Sequence, residues 1–377
     1  MKTFKLMATC AAGIEALVGR ELRDLGYEVQ VENGRVRFEG TIEDIINTNL
    51  WLRTADRVEI IVGEFEAKTF EDLFQNVKAL PWDELLPMDA QFPMNGRSHN
   101  SALHSVPDVQ AIAKKAVVNK LNETYHRRTR LPETGQLYKL ETRINKDHVM
   151  VILDTTGESL FKRGYRVAKG PAPIKENMAA ALIMLTSWYP DMPFLDPMCG
   201  SGTIPIEAAM IARNIAPGFN REFSCEKWDW VDEDVVEDVR NKADEKADYD
   251  KELDIMASDV DGNMIDIAKV NAQEVGLLHD IQFKQLSVLD FKTDKINGVV
   301  VSNPPYGERL SDKQEVRKLY KGLGRVFKPM TSWSKYFLTS DLEFDKFYGQ
   351  APTKTRKLYN GYLRTDYFQF WGKKIRK

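Results

Sequence analysis

Phe194-Leu195-Asp196-Pro197-Met198-Cys199-Gly200-Ser201-Gly202-Thr203 is the stretch on which the reading of this 377-residue chain turns. It reads as a buried strand that empties into a glycine turn and then a helix through Ile206, Ala209, Met210 and Ile211. Two glycines let the backbone come close to a ligand, and a helix N-terminus behind them favours partial negative charge. A dinucleotide-binding turn wants a third glycine where Pro205 stands, which argues against a nicotinamide dehydrogenase. Asp196, the acid ahead of the turn, suits a positively charged portion of a ligand better than a pyrophosphate.

Three more strand exits follow. Ile255 to Ser258 ends at Asp259, with Asp261 close behind; such an acid either holds the two hydroxyls of a ribose or caps the next helix. Ile281 to Leu286 leads through Ser287 to Asp290, and Gly298 to Ser302 leads into Asn303-Pro304-Pro305-Tyr306-Gly307. Two prolines in a row supply no N–H, so this last exit is a stiff turn. It presents the Asn303 side chain and the Pro304 carbonyl as fixed acceptors beside Tyr306, a geometry suited to gripping a planar group bearing an NH2. From Glu176 onward strand and helix alternate, the pattern of a parallel sheet covered on both faces, and all four features sit at strand carboxyl ends, where such sheets bind ligands.

The first half reads differently. Residues 1–66 give β-α-β-β-α-β, the ferredoxin-like order, with Asn33-Gly34 as a type I′ hairpin turn and Thr41 with Asp44 as a helix cap. Residues 67–156 add a helix, an extended segment over 91–100, a helix from Val109 to about Tyr125, and two strands across Asn145-Lys146-Asp147. The second helix and its exit carry Lys114, Lys115, Lys120, Arg127, Arg128 and Arg130 outward, and Arg97 with its polar neighbours lies in the segment before it, a set suited to phosphate contacts. Residues 157–175, rich in bases, glycine and proline, read as a linker ahead of a 176–377 domain.

Composition sets the remaining limits. A net charge of −3 conceals segregation: Asn95 to Lys139 carries eight bases against three acids, Glu226 to Asp254 thirteen acids against five bases, and Lys346 to Lys377 nine bases against one acid. These patches permit an RNA partner. No apolar run reaches the roughly 18 residues of a membrane span, and the start lacks a signal-peptide pattern, so a cytoplasmic protein with no membrane partner is expected. Cys10, Cys199 and Cys225 without CxxC spacing read as reduced thiols, and His99 and His104 as surface residues, so no metal is expected. The acidic stretch Glu226 to Asp254 reads as an outer-face helix with no catalytic role.

On Asp196 to Thr203, Asp259, Asp290 and Asn303 to Tyr306, the second half resembles the S-adenosylmethionine-dependent class I amino-methyltransferases with an Asn-Pro-Pro-Tyr motif. The first half resembles a THUMP domain preceded by a ferredoxin-like domain. Together they are similar to THUMP-containing RNA guanine-N2 methyltransferases of the bacterial 23S rRNA type. The resemblance implies an α/β Rossmann-like methyltransferase fold behind α+β domains, with S-adenosylmethionine as cofactor. It also implies that Asp196, Cys199, Gly200, Ser201, Gly202 and Thr203 line the methionine end and turn of its site. Asp259 would hold the ribose and Asp290 the adenine amine. Asn303, with Pro304, Pro305 and Tyr306, would present the substrate amine, rRNA being favoured over tRNA. DNA adenine-N6 and protein glutamine methylation use similar tetrapeptides, and a non-catalytic RNA-binding factor is the competing class.

Overall fold

The computed structural model describes residues 2–167, 173–306, 310–361, 363–373 and 375. Gly307, part of the 157–175 segment and three bases of the C-terminal run lie outside these residues.

The N-terminal half begins β1 (Phe4–Thr9), α1 (Glu15–Asp24), β2 (Gln30–Glu32), β3 (Arg35–Gly40), α2 (Ile42–Trp51) and β4 (Arg57–Glu66). Thr41 and Asp44 form a reciprocal capping box at α2, as their spacing predicts, and Thr69 with Asp72 repeats it one helix later. At Asn33-Gly34 only the glycine takes a positive φ, so the turn is not type I′. The left-handed pair sits instead at Lys146 and Asp147. There follow α3 (Phe70–Lys78), β5 (Met94–His99), α4 (Val106–Thr124), β6 (Leu140–Asn145) and β7 (His148–Asp154).

These strands make one seven-stranded sheet in the order β2-β3-β1-β4-β7-β6-β5, joined where β4 lies antiparallel to β7. Leu6, Val36, Ile60, Leu153, Val151 and Leu140 point to one face, under the helices. The other face sets ion pairs around a small buried cluster of Met7, Ile61, Met150 and Ile152: Arg37 pairs with Glu64 at 2.7 Å, Arg57 with Asp154 at 2.6 Å, and Arg143 with Glu59 at 2.7 Å.

The second half contains α5 (Glu176–Met184), β8 (Phe194–Asp196), α6 (Thr203–Ala212), α7 (Glu233–Asp244), β9 (Ile255–Asp259), α8 (Gly262–Glu274), β10 (Ile281–Gln285), β11 (Val299–Ser302), α9 (Leu310–Phe327), β12 (Ser334–Thr339), α10 (Phe344–Tyr348), β13 (Lys354–Asn360) and β14 (Leu363–Phe370). The sheet order is β10-β9-β8-β11-β12-β14-β13. The first five strands are parallel, and β14 runs antiparallel to both β12 and β13. Every residue of β8, β11 and β12 is buried, which is why β8 and β11 read as apolar runs closed by one polar residue rather than as alternating strands, while β12 buries Lys335 and Thr339 as well. The chain reverses its direction of winding between β8 and β11, and open sheets of this kind bind ligands at that point.

The described residues of the 157–175 segment are no exposed tether. Leu160, Arg163, Tyr165 and Ile174 are all buried. Arg163 donates to the Leu160 carbonyl and, at 2.5 Å, to the Arg53 carbonyl of the first half, while its Nε faces Glu207 of α6 at 3.4 Å. A buried arginine needs all of these acceptors, so Arg163 is fixed between the two halves. Among the described residues no helix is long and apolar enough to cross a membrane.

Candidate active site

Asp196 closes β8 with 1% of its surface exposed. Its Oδ1 accepts the Ser302 hydroxyl at 2.8 Å and the Met198 N–H at 3.3 Å, which ties the end of β8 to the end of β11. Burial pushes this carboxyl up to about 7, while the two hydrogen bonds favour the charged form and Asp259 adds a further upward push. Such a group is poised to ionise when a cation comes beside it.

The glycine turn is set by its backbone. Gly200 and Gly202 take φ of +51° and +82°, and Gly202 caps α6 from the left-handed region. A Cβ at Gly202 would stand 2.9 Å from the Ala268 Cβ of α8, so glycine is required there twice over. Asn271 of α8, buried, donates to the Ser201 carbonyl at 3.1 Å. Cys199, Ser201 and Thr203 are buried, and the Thr203 hydroxyl accepts Arg166 Nη2 at 2.8 Å. Burial raises the Cys199 thiol well above its usual range. Burial does not separate these three side chains from Asp196, which is at least as buried as they are; all four lie at the glycine turn, and Thr203 also anchors Arg166.

Asp259 and Asp261 divide the two roles open to them. Asp261 caps α8, its side chain accepting the Asn263 N–H at 2.9 Å. Asp259 accepts the Gly200 N–H on one oxygen and the Asp261 N–H on the other, both at 3.0 Å. Each oxygen keeps a second acceptor position, so this carboxylate is oriented from behind and can take a vicinal diol in front. Asp290 ends a short 3-10 turn, Val288–Asp290, and is exposed. Val260 and Leu289 beside these acids expose 69% and 46% of their surface. Neither stands out in the sequence, where each continues an apolar strand or turn, and only their exposure sets them apart.

Beyond β11, Tyr306 Oη donates to Asn303 Oδ1 at 2.5 Å, closing the Pro-Pro turn across three residues. The acceptor expected to face a substrate amine is thus engaged on one side by the tyrosine expected to stack on the base. Tyr320 of α9 donates to the Pro305 carbonyl at 3.0 Å and contacts Thr339 Oγ1 of β12 at 2.9 Å, which anchors the turn from beneath.

The bases expected at an RNA surface do not form one patch. Gly96 faces α4, since a Cβ there would touch Gln110, and its neighbour Arg97 points to the opposite, open face, paired with Glu141 at 2.5 Å. Lys114 is held by Glu133 at 2.9 Å and lies over the Phe92 ring, and Lys115 lies over Phe74. Arg127 reaches Thr129, while Arg128 and Arg130 are exposed past the end of α4. A cleft of about 740 Å³ opens on the charged sheet face, lined by residues of the N-terminal half, and its Arg143 is engaged by Glu59 and Glu141.

An acid for a cation, a glycine turn whose backbone can approach a ligand, an oriented carboxylate for a diol and exposed apolar residues beside it are features that fit S-adenosylmethionine. Comparisons with known proteins bear on the family and the cofactor. The ferredoxin-like domain that opens the RlmL protein matches residues 5–59, the THUMP domain 67–154, and the RMKL-like methyltransferase domain 163–369. YpsC of Bacillus subtilis strain 168, whose name assigns it provisionally to RNA methylation, is 52% identical over 374 residues, 99% of this chain and 97% of that protein. The ribosomal RNA large subunit methyltransferase K/L of Psychromonas ingrahamii is 34% identical over 93% of this chain, which spans 48% of that protein's length. SMU.472, solved as a complex with SAH, superposes with a TM-score of 0.96 at 56% identity over 100% of both chains. The chain belongs to the RMKL-like methyltransferase family, with a ferredoxin-like and a THUMP domain ahead of the methyltransferase domain.

Proposed function

We propose that this methyltransferase acts on RNA and methylates the exocyclic N2 amine of a guanosine, with large-subunit rRNA as the favoured substrate and tRNA as the second. The observation that carries this reading is the anchored Asn303-Pro304-Pro305-Tyr306 turn, set beside the buried Asp196–Ser302 contact. The THUMP domain and the K/L relatives support RNA as the substrate class.

S-adenosylmethionine supplies a methyl already activated on a sulfonium, so the protein's task is placement. Asp196 balances positive charge at the methionine end, Asp259 takes the ribose hydroxyls, and Asp290 takes the adenine amine between Val260 and Leu289. A guanine amine is conjugated and a weak nucleophile. When Asn303 Oδ1 and the Pro304 carbonyl accept its two hydrogens, the nitrogen becomes more pyramidal and its lone pair turns outward. Oδ1 has room for this bond beside the Tyr306 hydroxyl, or receives it once Tyr306 swings onto the face of the base. The base must leave its helix or come from a single-stranded loop.

Incubation with labelled cofactor and with rRNA and tRNA from a strain lacking the protein, followed by digestion to nucleosides, tests the reading. N2-methylguanosine is the expected product. N6-methyladenine on DNA or methylglutamine on protein would replace it with one of the two competing amines. Absence of S-adenosylmethionine binding by calorimetry would favour a non-catalytic RNA-binding factor.

A further inference from the structure

The crossover from α6 to β9 is far longer than a parallel connection needs, and what it buys is contact with the first half. α7 lies on α2, with Lys242 facing Glu43 at 3.5 Å. Ahead of α7 the chain is sewn to the N-terminal half by backbone hydrogen bonds: Gly218 N–H to the Leu50 carbonyl at 2.9 Å, Ser224 N–H to Thr156 at 3.2 Å, and Cys225 N–H to Thr155 at 3.0 Å. Two tryptophans then enter the first half. Trp228, 1% exposed, stacks on Tyr138 with centroids 5.0 Å apart and donates to the Leu137 carbonyl at 3.1 Å. Trp230 stacks on Phe4 at 5.8 Å and donates to the Leu85 carbonyl at 3.0 Å. These partners come from β1 and from the segments flanking β5 and β6, so the tryptophans bridge both parts of the N-terminal sheet.

We propose that residues 218–230 are a clasp that fixes the RNA-binding half against the methyltransferase half, so that the target nucleotide is chosen by its distance from the RNA contact. Trp228 and Trp230 are its positioning residues. This rests on the reading of the protein as an RNA methyltransferase. With Trp228 buried and Trp230 half-buried, and each indole N–H bonded to a carbonyl of the first half, sliding or rotation would break both hydrogen bonds and both ring contacts. The polypeptide link alone would hold the halves together. Arg163, Arg53 and Asn177 pin the halves along one side of the junction, and the clasp adds a second line of contact that fixes their angle.

The test uses the full chain with Trp228→Ala and Trp230→Ala combined, and the milder Trp230→Ala alone in case the pair impairs folding. Dyes on Glu71→Cys and Lys269→Cys report the separation of the halves, since Cys10, Cys199 and Cys225 are all buried. The parent is expected to give one narrow distance distribution and the double variant a broad one, with S-adenosylmethionine affinity within about twofold. Methylation of RNA from a deletion strain is expected to fall at least tenfold in kcat/KM and to spread from one nucleotide to its neighbours. Trp228→Phe, which keeps the ring, is expected to restore the single site. A merely structural defect would lower the rate without moving the methyl, and that result overturns the proposal, as does an unchanged distance distribution in the double variant. If the parent methylates no RNA, the RNA reading fails and the clasp is decided by the distance distributions alone.

Discussion

Lowering the pH from 8 to 6 crosses the range in which Asp196 takes up a proton, and cofactor affinity should follow it. The carboxyl is buried and held near 7, about three pKa units above the ordinary carboxylate, so keeping it ionised in the empty protein costs on the order of 4 kcal/mol. If S-adenosylmethionine binds the ionised form, about nine-tenths of the protein is in the wrong state at pH 6 and about one-tenth at pH 8, which weakens binding roughly tenfold, or ~1.4 kcal/mol. Titration calorimetry at both pH values measures this, and the proton released at pH 6 appears as a dependence of the heat on buffer. Asp196→Asn should bind weakly at both. The sign for stability is opposite. A carboxyl raised above its unfolded value favours the fold at low pH and loses that contribution as pH rises through the folded value. Asp196→Asn without cofactor should therefore melt above the parent at pH 8, with a smaller gain at pH 5. Equal affinity of the parent at pH 6 and 8, with Asp196→Asn matching it, would refute the placement of a cationic group beside Asp196.

Asn303→Ala should abolish methyl transfer and leave S-adenosylmethionine affinity within a few fold, read by single-turnover kinetics and calorimetry; full activity would reduce the tetrapeptide to a turn. Gly202→Ala places a Cβ against Ala268 at a φ of +82°, so thermal melting should show a loss of about 1–3 kcal/mol and cofactor binding should fall sharply. Lys335, buried in β12 with its ammonium on the Met330 carbonyl, is held down to about 8 by burial, so the parent should gain stability as pH rises from about 8 toward the usual lysine range. Lys335→Met should raise the melting temperature most below pH 8, and a lowered value at pH 7 would show that the ammonium stabilises the strand.

Local signals were legible where one residue type does one job. The glycine turn, the Thr41–Asp44 cap and the Pro-Pro exit each impose a backbone geometry that few residues satisfy, and each lies where its sequence places it. What the sequence concealed is contact between distant segments. Residues 157–175 look like a linker because arginine, glycine and proline are common in exposed chain, yet Arg163 is buried against acceptors from Arg53 and Glu207, more than forty residues away on either side. The acidic composition of Glu226 to Asp254 masked Trp228 and Trp230, whose partners belong to another domain. Arg97 looked like a neighbour of the α4 bases because strand alternation, which turns it to the other face, depends on which strand it joins.

The junction of β4 with β7 also bears on how the chain is made. Roughly 80 residues separate the two strands, so at a synthesis rate of about 5–20 residues per second the free edge of β4 waits several seconds on the ribosome for its partner. That edge carries Glu59, Glu64 and Glu66 and is broken by a register shift at Gly63. Both features discourage pairing with a neighbouring nascent chain, and so protect the half-built sheet until its own last strand arrives.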